Sequence, residues 1–174
     1  MYPVKYFLTK VLYKLRRNDK ETVSAYFRRQ GMTIGKGCNI CCNIMNTEPY
    51  LITIGDNVTV SGGVKFTTHD NSISKVLGDK TDICVPIKIG NNCFIGRGSM
   101  ILLGVHLADN IIVAAGSVVT KSFAESRIII AGNPAKKIGT WDSFAERYKD
   151  KAVRLKGLSA EDREAMIKQN LVLK

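Results

Sequence analysis

An aliphatic residue returns every six positions through the middle of the chain. From Ile89 the step lands on Ile95, Ile101, Leu107, Val113 and Val119. Four residues after each of these the chain has Cys93, Ser99, Val105, Ile111 and Ser117, all small or aliphatic, and then the exception, Phe123. Earlier, Ile54, Val60 and Phe66 keep the same spacing, followed at plus four by Val58, Val64 and Asp70, and earlier still Ile34 and Ile40 are followed by Cys38 and Ile44. A period of six fits neither an α-helix nor a simple alternating strand. It fits a short strand, a turn at a small residue or Asn/Asp (Gly55-Asp56-Asn57, Gly90-Asn91-Asn92, Asp109-Asn110), and another short strand. Three such steps close a triangular coil, and the next coil stacks on it at ~4.8 Å with its strands hydrogen-bonded to those below. The aliphatic position points into a narrow prism, which leaves little room at plus four. The pattern predicts an all-β core, a parallel β-helix of stacked repeats. Its unbroken blocks are residues 54–70 and 89–124, with a shorter one over 34–45.

Helical periodicity flanks this core. Val4, Phe7, Leu8, Val11, Leu12 and Leu15 fall on one face of a helix with Lys and Arg on the other. Asn18 with Glu21 reads as a capping box for a second helix ending at Gly31. Phe144, Ala145 and Tyr148 predict a helix reaching toward Gly157, and Ser159 with Asp162 opens a last one toward Leu171. The expected organisation is a helical segment over 1–30, the β-helix over 31–139 and a second helical segment over 140–174. Residues 71–88 are polar and irregular, so a loop over about 69–86 should leave the prism.

Composition narrows the class. The chain has 174 residues, a formal net charge of +11 and no apolar run near the ~18 residues of a membrane span. Lys5, Lys10 and Lys14 interrupt the first apolar segment, against a signal peptide and for a cytoplasmic protein. The five cysteines (Cys38, Cys41, Cys42, Cys84, Cys93) suit reduced thiols better than disulfides. Cys38 and Cys41 form one CxxC without a second pair, and Cys38 also holds a plus-four prism position, so a buried thiol is expected and no metal. The basic residues are spread without interleaved aromatics, against nucleic-acid binding. For the basic N-terminal helix, packing on the end of the prism is favoured over contact with an anionic membrane.

The hexads, the segments Ile87-Lys88-Ile89-Gly90-Asn91-Asn92-Cys93-Phe94-Ile95-Gly96 and Ala115-Gly116-Ser117-Val118-Val119-Thr120-Lys121, and the ending Ala131-Gly132-Asn133-Pro134-Ala135-Lys136 together resemble the hexapeptide acyltransferases of the left-handed β-helix fold. Within that family the likeness is to the maltose/galactoside and capsular-polysaccharide O-acetyltransferases. The resemblance implies a homotrimer, with acetyl-CoA in a groove between neighbouring prisms and a catalytic histidine on a loop that breaks the coils. It also implies left-handed winding, against the usual rule for parallel crossovers; the spacing itself gives no handedness.

Acetyl transfer to a hydroxyl needs a base to take the hydroxyl proton, and an imidazole, with an unperturbed pKa of about 6.5, suits that role near neutral pH. His69 falls where the repeat breaks and is the expected general base. His106, in a regular hexad, is expected to be an inert outward residue, and two histidines do not make the three-histidine zinc site of the carbonic anhydrases that share the repeat. On the coenzyme side the resemblance assigns Phe94, where similar enzymes place an aromatic, the turn at Ala115 and Gly116, and Lys121 and Lys136 beside phosphates; Arg97 stands where the family has a small residue. On the acceptor side it points to Asn43 and Asn46, and to Glu48, because the family's acidic residue before Tyr50 is Pro49 here. Asp70 is a further candidate for substrate binding or for pairing with His69. The leading expectation is an acetyl-CoA-dependent O-acetyltransferase acting on a sugar or polysaccharide precursor. The alternatives are transfer to an amine or antibiotic, and a non-catalytic scaffold.

Overall fold

The computed structural model describes residues 2–16 and 18–172. It contains two compact units, 1–139 and 140–174. The core of the first is mostly β, with short parallel strands in three sheets. The first sheet stacks Thr33–Ile34, Ile52–Ile54, Ile87–Ile89 and His106–Leu107. The second stacks Asn39–Ile40, Thr59–Val60, Phe94–Ile95, Ile112–Val113, Ile128–Gly132 and Ala135–Thr140. The third holds Lys65–Phe66, Met100–Ile101 and Val118–Val119. The chain visits the sheets in turn, so strands pair with ones a full coil away, except that Ala135–Thr140 follows its sheet neighbour Ile128–Gly132 directly.

The register follows the hexads. Ile89 lies beside Leu107, Ile95 beside Val113 and Ile101 beside Val119, each three six-residue steps on. These aliphatic side chains are buried, as are Cys93, Ser99, Val105, Ile111 and Ser117 at plus four. The two buried serines are satisfied locally: Ser99 Oγ and Ser117 Oγ both donate to the Ala114 carbonyl, at 3.0 and 2.7 Å. Cys38 is buried in the same kind of position, its thiol 3.1 Å from the Gly55 carbonyl.

Side-chain ladders fix the turns between the first two sheets. Asn57, Asn92 and Asn110 all adopt positive φ, which Asn tolerates better than most residues. Their side chains hydrogen-bond in a column, Asn57 Nδ2 to Asn92 Oδ1 and Asn92 Nδ2 to Asn110 Oδ1, each 2.8 Å. The close approach of successive coils explains the glycines that follow the aliphatic positions. A Cβ on Gly96 would lie 2.5 Å from the Ala115 nitrogen and 2.6 Å from the Val113 oxygen.

The period fails at defined places. Ile34 pairs with Ile54, two residues more than three hexads, and the extra length lies in the Asn46–Leu51 segment. Ile54 pairs with Ile89, so an excursion almost as long as a coil intervenes. It opens as an antiparallel hairpin, His69 opposite Cys84 and Asp70 opposite Ile83. Asp70 is therefore no prism position, although the six-residue step carried it as one. The last coil is short: Leu107 bridges to Phe123 rather than to a residue three hexads on. Phe123, which the step made a plus-four position, replaces an aliphatic strand residue and packs against the core.

The first helix, α1, spans Tyr2–Leu15, and the second, α2, spans Lys20–Arg29. The N-cap of α2 is Asp19, whose carboxylate accepts from the Glu21 amide at 3.0 Å; Asn18, expected in that role, turns the chain at φ 62 instead. It is α2 that closes the prism. Val23, Tyr26 and Phe27 join the core, and Arg28 donates to the Ile34 and Gly35 carbonyls at 2.6 and 2.7 Å. α1 lies against α2 through Tyr6, whose ring centroid is 5.9 Å from those of both Tyr26 and Phe27. The helix packs on the core as expected, but through Tyr6 and Tyr13, while the apolar stripe read from its periodicity is exposed.

In the second unit α3 spans Trp141–Tyr148, started by a capping box between Thr140 and Ser143. It stops well short of Gly157 because the amides of Lys151 and Ala152 both fold back on the Tyr148 carbonyl. α4 spans Ala160–Val172, with Ser159 accepting from the Asp162 amide at 3.1 Å.

Candidate active site

The third sheet lacks a strand from the first coil, and a cleft opens there. In place of a backbone ladder, the Asn46 side chain donates to the Phe66 carbonyl at 2.9 Å. The cleft has a volume of about 340 Å³ and is lined by Met45, Asn46, Thr47, Phe66, Thr67, Thr68 and His69. Two departures from the period meet at it. The extra residues of the first coil bring in Glu48, just ahead of the short helical turn Pro49–Leu51, and the hairpin brings in His69.

His69 Nδ1 lies 2.8 Å from Glu48 Oε2. Thr68, fully buried, sets its hydroxyl 2.8 Å from the same carboxylate oxygen and 2.7 Å from Asn46 Oδ1, with one proton to give. The Glu48 amide donates to Asn46 Oδ1 at 2.9 Å, and the Thr47 hydroxyl is 3.3 Å from His69 Nδ1. Hydrogen bonds to the Glu48 carboxylate, from the Thr47 hydroxyl first and then from His69 and Thr68, hold its pKa down to about 2. Glu48 is therefore ionised at neutral pH and can only accept. The Nδ1 atom carries the proton of that bond, and in the neutral imidazole the lone pair is left at Nε2. Held this way, with its side chain 42 % exposed, His69 can take a proton from a group in the cleft.

The other acceptor-side residues divide. Asn46 lines the cleft, but its amide braces Phe66, Glu48 and Thr68. Asn43 is half-buried outside the cleft lining. The Asp70 carboxylate accepts from the Ser72 amide at 2.8 Å, which lowers its pKa and commits it to its own turn rather than to His69. Thr47, Thr68 and Cys84 were not singled out from sequence. The repeat gave no signal for Thr68, because the inward position due after Phe66 is residue 70.

The coenzyme-side residues lie elsewhere. Phe94 sits in the second sheet with its ring 44 % exposed, paired with Thr59 below and Ile112 above. Arg97, Ala115 and Gly116 are exposed on successive turns between the second and third sheets, and the Gly116 amide donates to the Arg97 carbonyl at 2.8 Å. Lys136 is exposed on the last strand of the second sheet. Lys121 follows the third sheet, its ammonium 5.7 Å from the centre of the Phe123 ring. None of these six lines the His69 cleft. His106 points outward on the first sheet, opposite Lys88. Among the described residues no group of three His, Cys, Asp or Glu side chains is placed to hold a metal ion.

Residues 86–121 match the family described as the hexapeptide repeat of succinyl-transferase. The chain is 39% identical over 142 residues to protein CapG of Staphylococcus aureus, an alignment covering 79% of this chain and 82% of CapG. It is 33% identical over 106 residues to the galactoside O-acetyltransferase of Escherichia coli strain K12, covering 60% of this chain and about half, 52%, of that enzyme. Among solved structures, the hexapeptide-repeat acetyltransferase VCA0836 of Vibrio cholerae complexed with acetyl coenzyme A superimposes with a TM-score of 0.55 at 29% identity, over 64% of this chain and 61% of that one.

Proposed function

This chain belongs to the hexapeptide-repeat acetyltransferase family, and we propose that it transfers an acetyl group from acetyl-CoA to a hydroxyl of a sugar or polysaccharide precursor, with His69 as the general base. The observation that carries this reading is the pairing of His69 Nδ1 with an ionised Glu48 at the rim of an open cleft. The similarity to a galactoside O-acetyltransferase supports a saccharide acceptor, and the similarity to an acetyl-CoA complex supports the donor.

The residues present fit the coenzyme. Phe94 offers an exposed ring, the Ala115–Gly116 turn an accessible backbone, and Arg97, Lys121 and Lys136 exposed cations for phosphate groups. The coenzyme supplies a thioester, an acetyl group activated toward attack. The acceptor hydroxyl approaches Nε2 of His69, which removes its proton as the oxygen attacks. The Glu48 carboxylate then faces an imidazolium through Nδ1–H and stabilises it, and the proton on Nε2 is available to the departing thiolate. Asn46, Thr47 and Thr68 hold Glu48 and His69 in place.

We read the assembly as a homotrimer of left-handed coils. Within one chain the histidine cleft lies at the edge after the third sheet, whereas Phe94 is on the second sheet and Arg97, Ala115 and Gly116 are on the turns between the second and third, which supports a site completed by a neighbour's coenzyme edge meeting this chain's hairpin. The five free thiols suit a reducing, cytoplasmic setting. The test is a purified-enzyme screen that follows coenzyme thiol release with galactosides, other sugars, amino sugars and hydroxylated antibiotics, alongside calorimetry with acetyl-CoA. Release with sugar hydroxyls is expected. Release only with amines would replace the acceptor class, and absence of acetyl-CoA binding would favour a scaffold.

A further inference from the structure

The outward face of α1 is built as an amphipathic surface. Its inner side, Tyr6, Thr9 and Tyr13, rests on the body of the protein. Its outer side presents Val4, Phe7, Leu8, Val11, Leu12 and Leu15, with Phe7 66%, Leu8 59% and Leu15 76% exposed. Helical geometry places Lys5 along one border of this stripe and Lys10 and Lys14 along the other, and Arg16 follows directly after the helix. The helix contains no acidic residue.

We propose that α1 docks the protein onto an anionic phospholipid surface, lying in the plane of the interface. An apolar stripe bordered by cations matches such a surface: the side chains enter the headgroup–acyl boundary while the ammonium and guanidinium groups meet phosphates. Fourteen residues at ~1.5 Å each span only ~21 Å, too little for a ~30 Å hydrocarbon core, so the helix lies on the membrane and does not cross it. Charge argues against a second copy of α1 as the occupant. Two such stripes laid together would align lysine and arginine rows with no carboxylate in either helix. The net charge of +11 acts in the same direction as the helix.

Vesicle flotation of the full chain tests the proposal, comparing phosphatidylcholine vesicles with vesicles containing phosphatidylglycerol. The expected result is at least tenfold more floated protein on the acidic vesicles, lost when salt is raised from about 0.05 to about 0.5 M. Phe7→Glu with Leu8→Glu should abolish flotation, as should Leu15→Glu alone, a position exposed enough to leave folding intact. Lys5→Glu with Lys14→Glu should remove the preference for acidic vesicles. Three results would each overturn the proposal: no flotation on acidic vesicles at low salt, flotation unaffected by the apolar substitutions, or a fall in assembly mass by light scattering in Leu15→Glu, which would assign the face to a second copy.

Discussion

Glu48 Oε2 and His69 Nδ1 are 2.8 Å apart, although 21 positions separate them in the chain. The contact exists because the chain leaves its period twice, once with two extra residues in the first coil and once with the hairpin. Its chemistry is fixed by the carboxylate: ionised, it can only accept, and so it leaves the Nε2 lone pair free toward the cleft.

Glu48→Gln tests the positioning role. An amide can hold Nδ1 but cannot balance a positive imidazolium. We expect kcat to fall about tenfold or more with KM for the acceptor little changed. A loss confined to KM would assign Glu48 to acceptor binding instead.

The same carboxylate contributes to acid stability. Its pKa in the folded protein, about 2, is below its ordinary value of 4.5. The folded state therefore binds this proton less readily than the unfolded chain does, and the contribution is present above about pH 4.5 and lost as pH falls toward 2. Urea unfolding of wild type and Glu48→Gln at pH 7 and at pH 2.5 should show the difference between them shrinking in acid. A constant difference would contradict the linkage.

Two substitutions probe the stacking. Asn92→Ala removes hydrogen bonds to Asn57 and Asn110 and places alanine at φ 54. It should cost about 1–2 kcal/mol in denaturant unfolding. Gly96→Ala should cost about 1–3 kcal/mol, because the new methyl meets backbone rather than a movable side chain. It should also weaken acetyl-CoA binding by shifting the Ala115–Gly116 turn, which calorimetry on the folded variant would read.

Thiol reactivity should separate the cysteines into two classes. Cys41 and Cys84 are exposed, whereas Cys38, Cys42 and Cys93 are buried. Burial raises the pKa of all three buried thiols, that of Cys42 to about 11. A chromogenic disulfide at pH 8 should react quickly with two thiols and with the other three only on unfolding. Rapid labelling of Cys42 would contradict this packing.

The prism was legible in the sequence because each coil repeats one steric demand, an aliphatic residue inward and a small one at plus four. From Ile89 to Val119 that demand alone gives the register. The hairpin was legible as its failure, and with it His69. What escaped was set by long-range contact. The His69–Glu48 pairing depends on which turn of the first coil lies under the hairpin, and the extra residues near Asn46 carry no local mark. Asp70 was the nearer carboxylate in sequence, but neighbouring residues on a strand point apart, and Ser72 claims it. The apolar stripe of α1 was plain from periodicity, yet its direction was not, because α2 supplies Phe27 and Val23 to the end of the prism first. Phe123 misled for a related reason: the last coil is cut short, and no residue before it announces the change.

The measurement that bears most directly on the account is turnover by His69→Ala, followed as coenzyme thiol release with an acceptor the wild type uses. Thermal unfolding, assembly mass and acetyl-CoA affinity of the variant are measured beside it. Removal of the base should lower kcat by ~10²–10⁴-fold while those three properties stay at their wild-type values. Turnover near the wild-type rate in a folded variant that binds acetyl-CoA would contradict the assignment of His69 as the base.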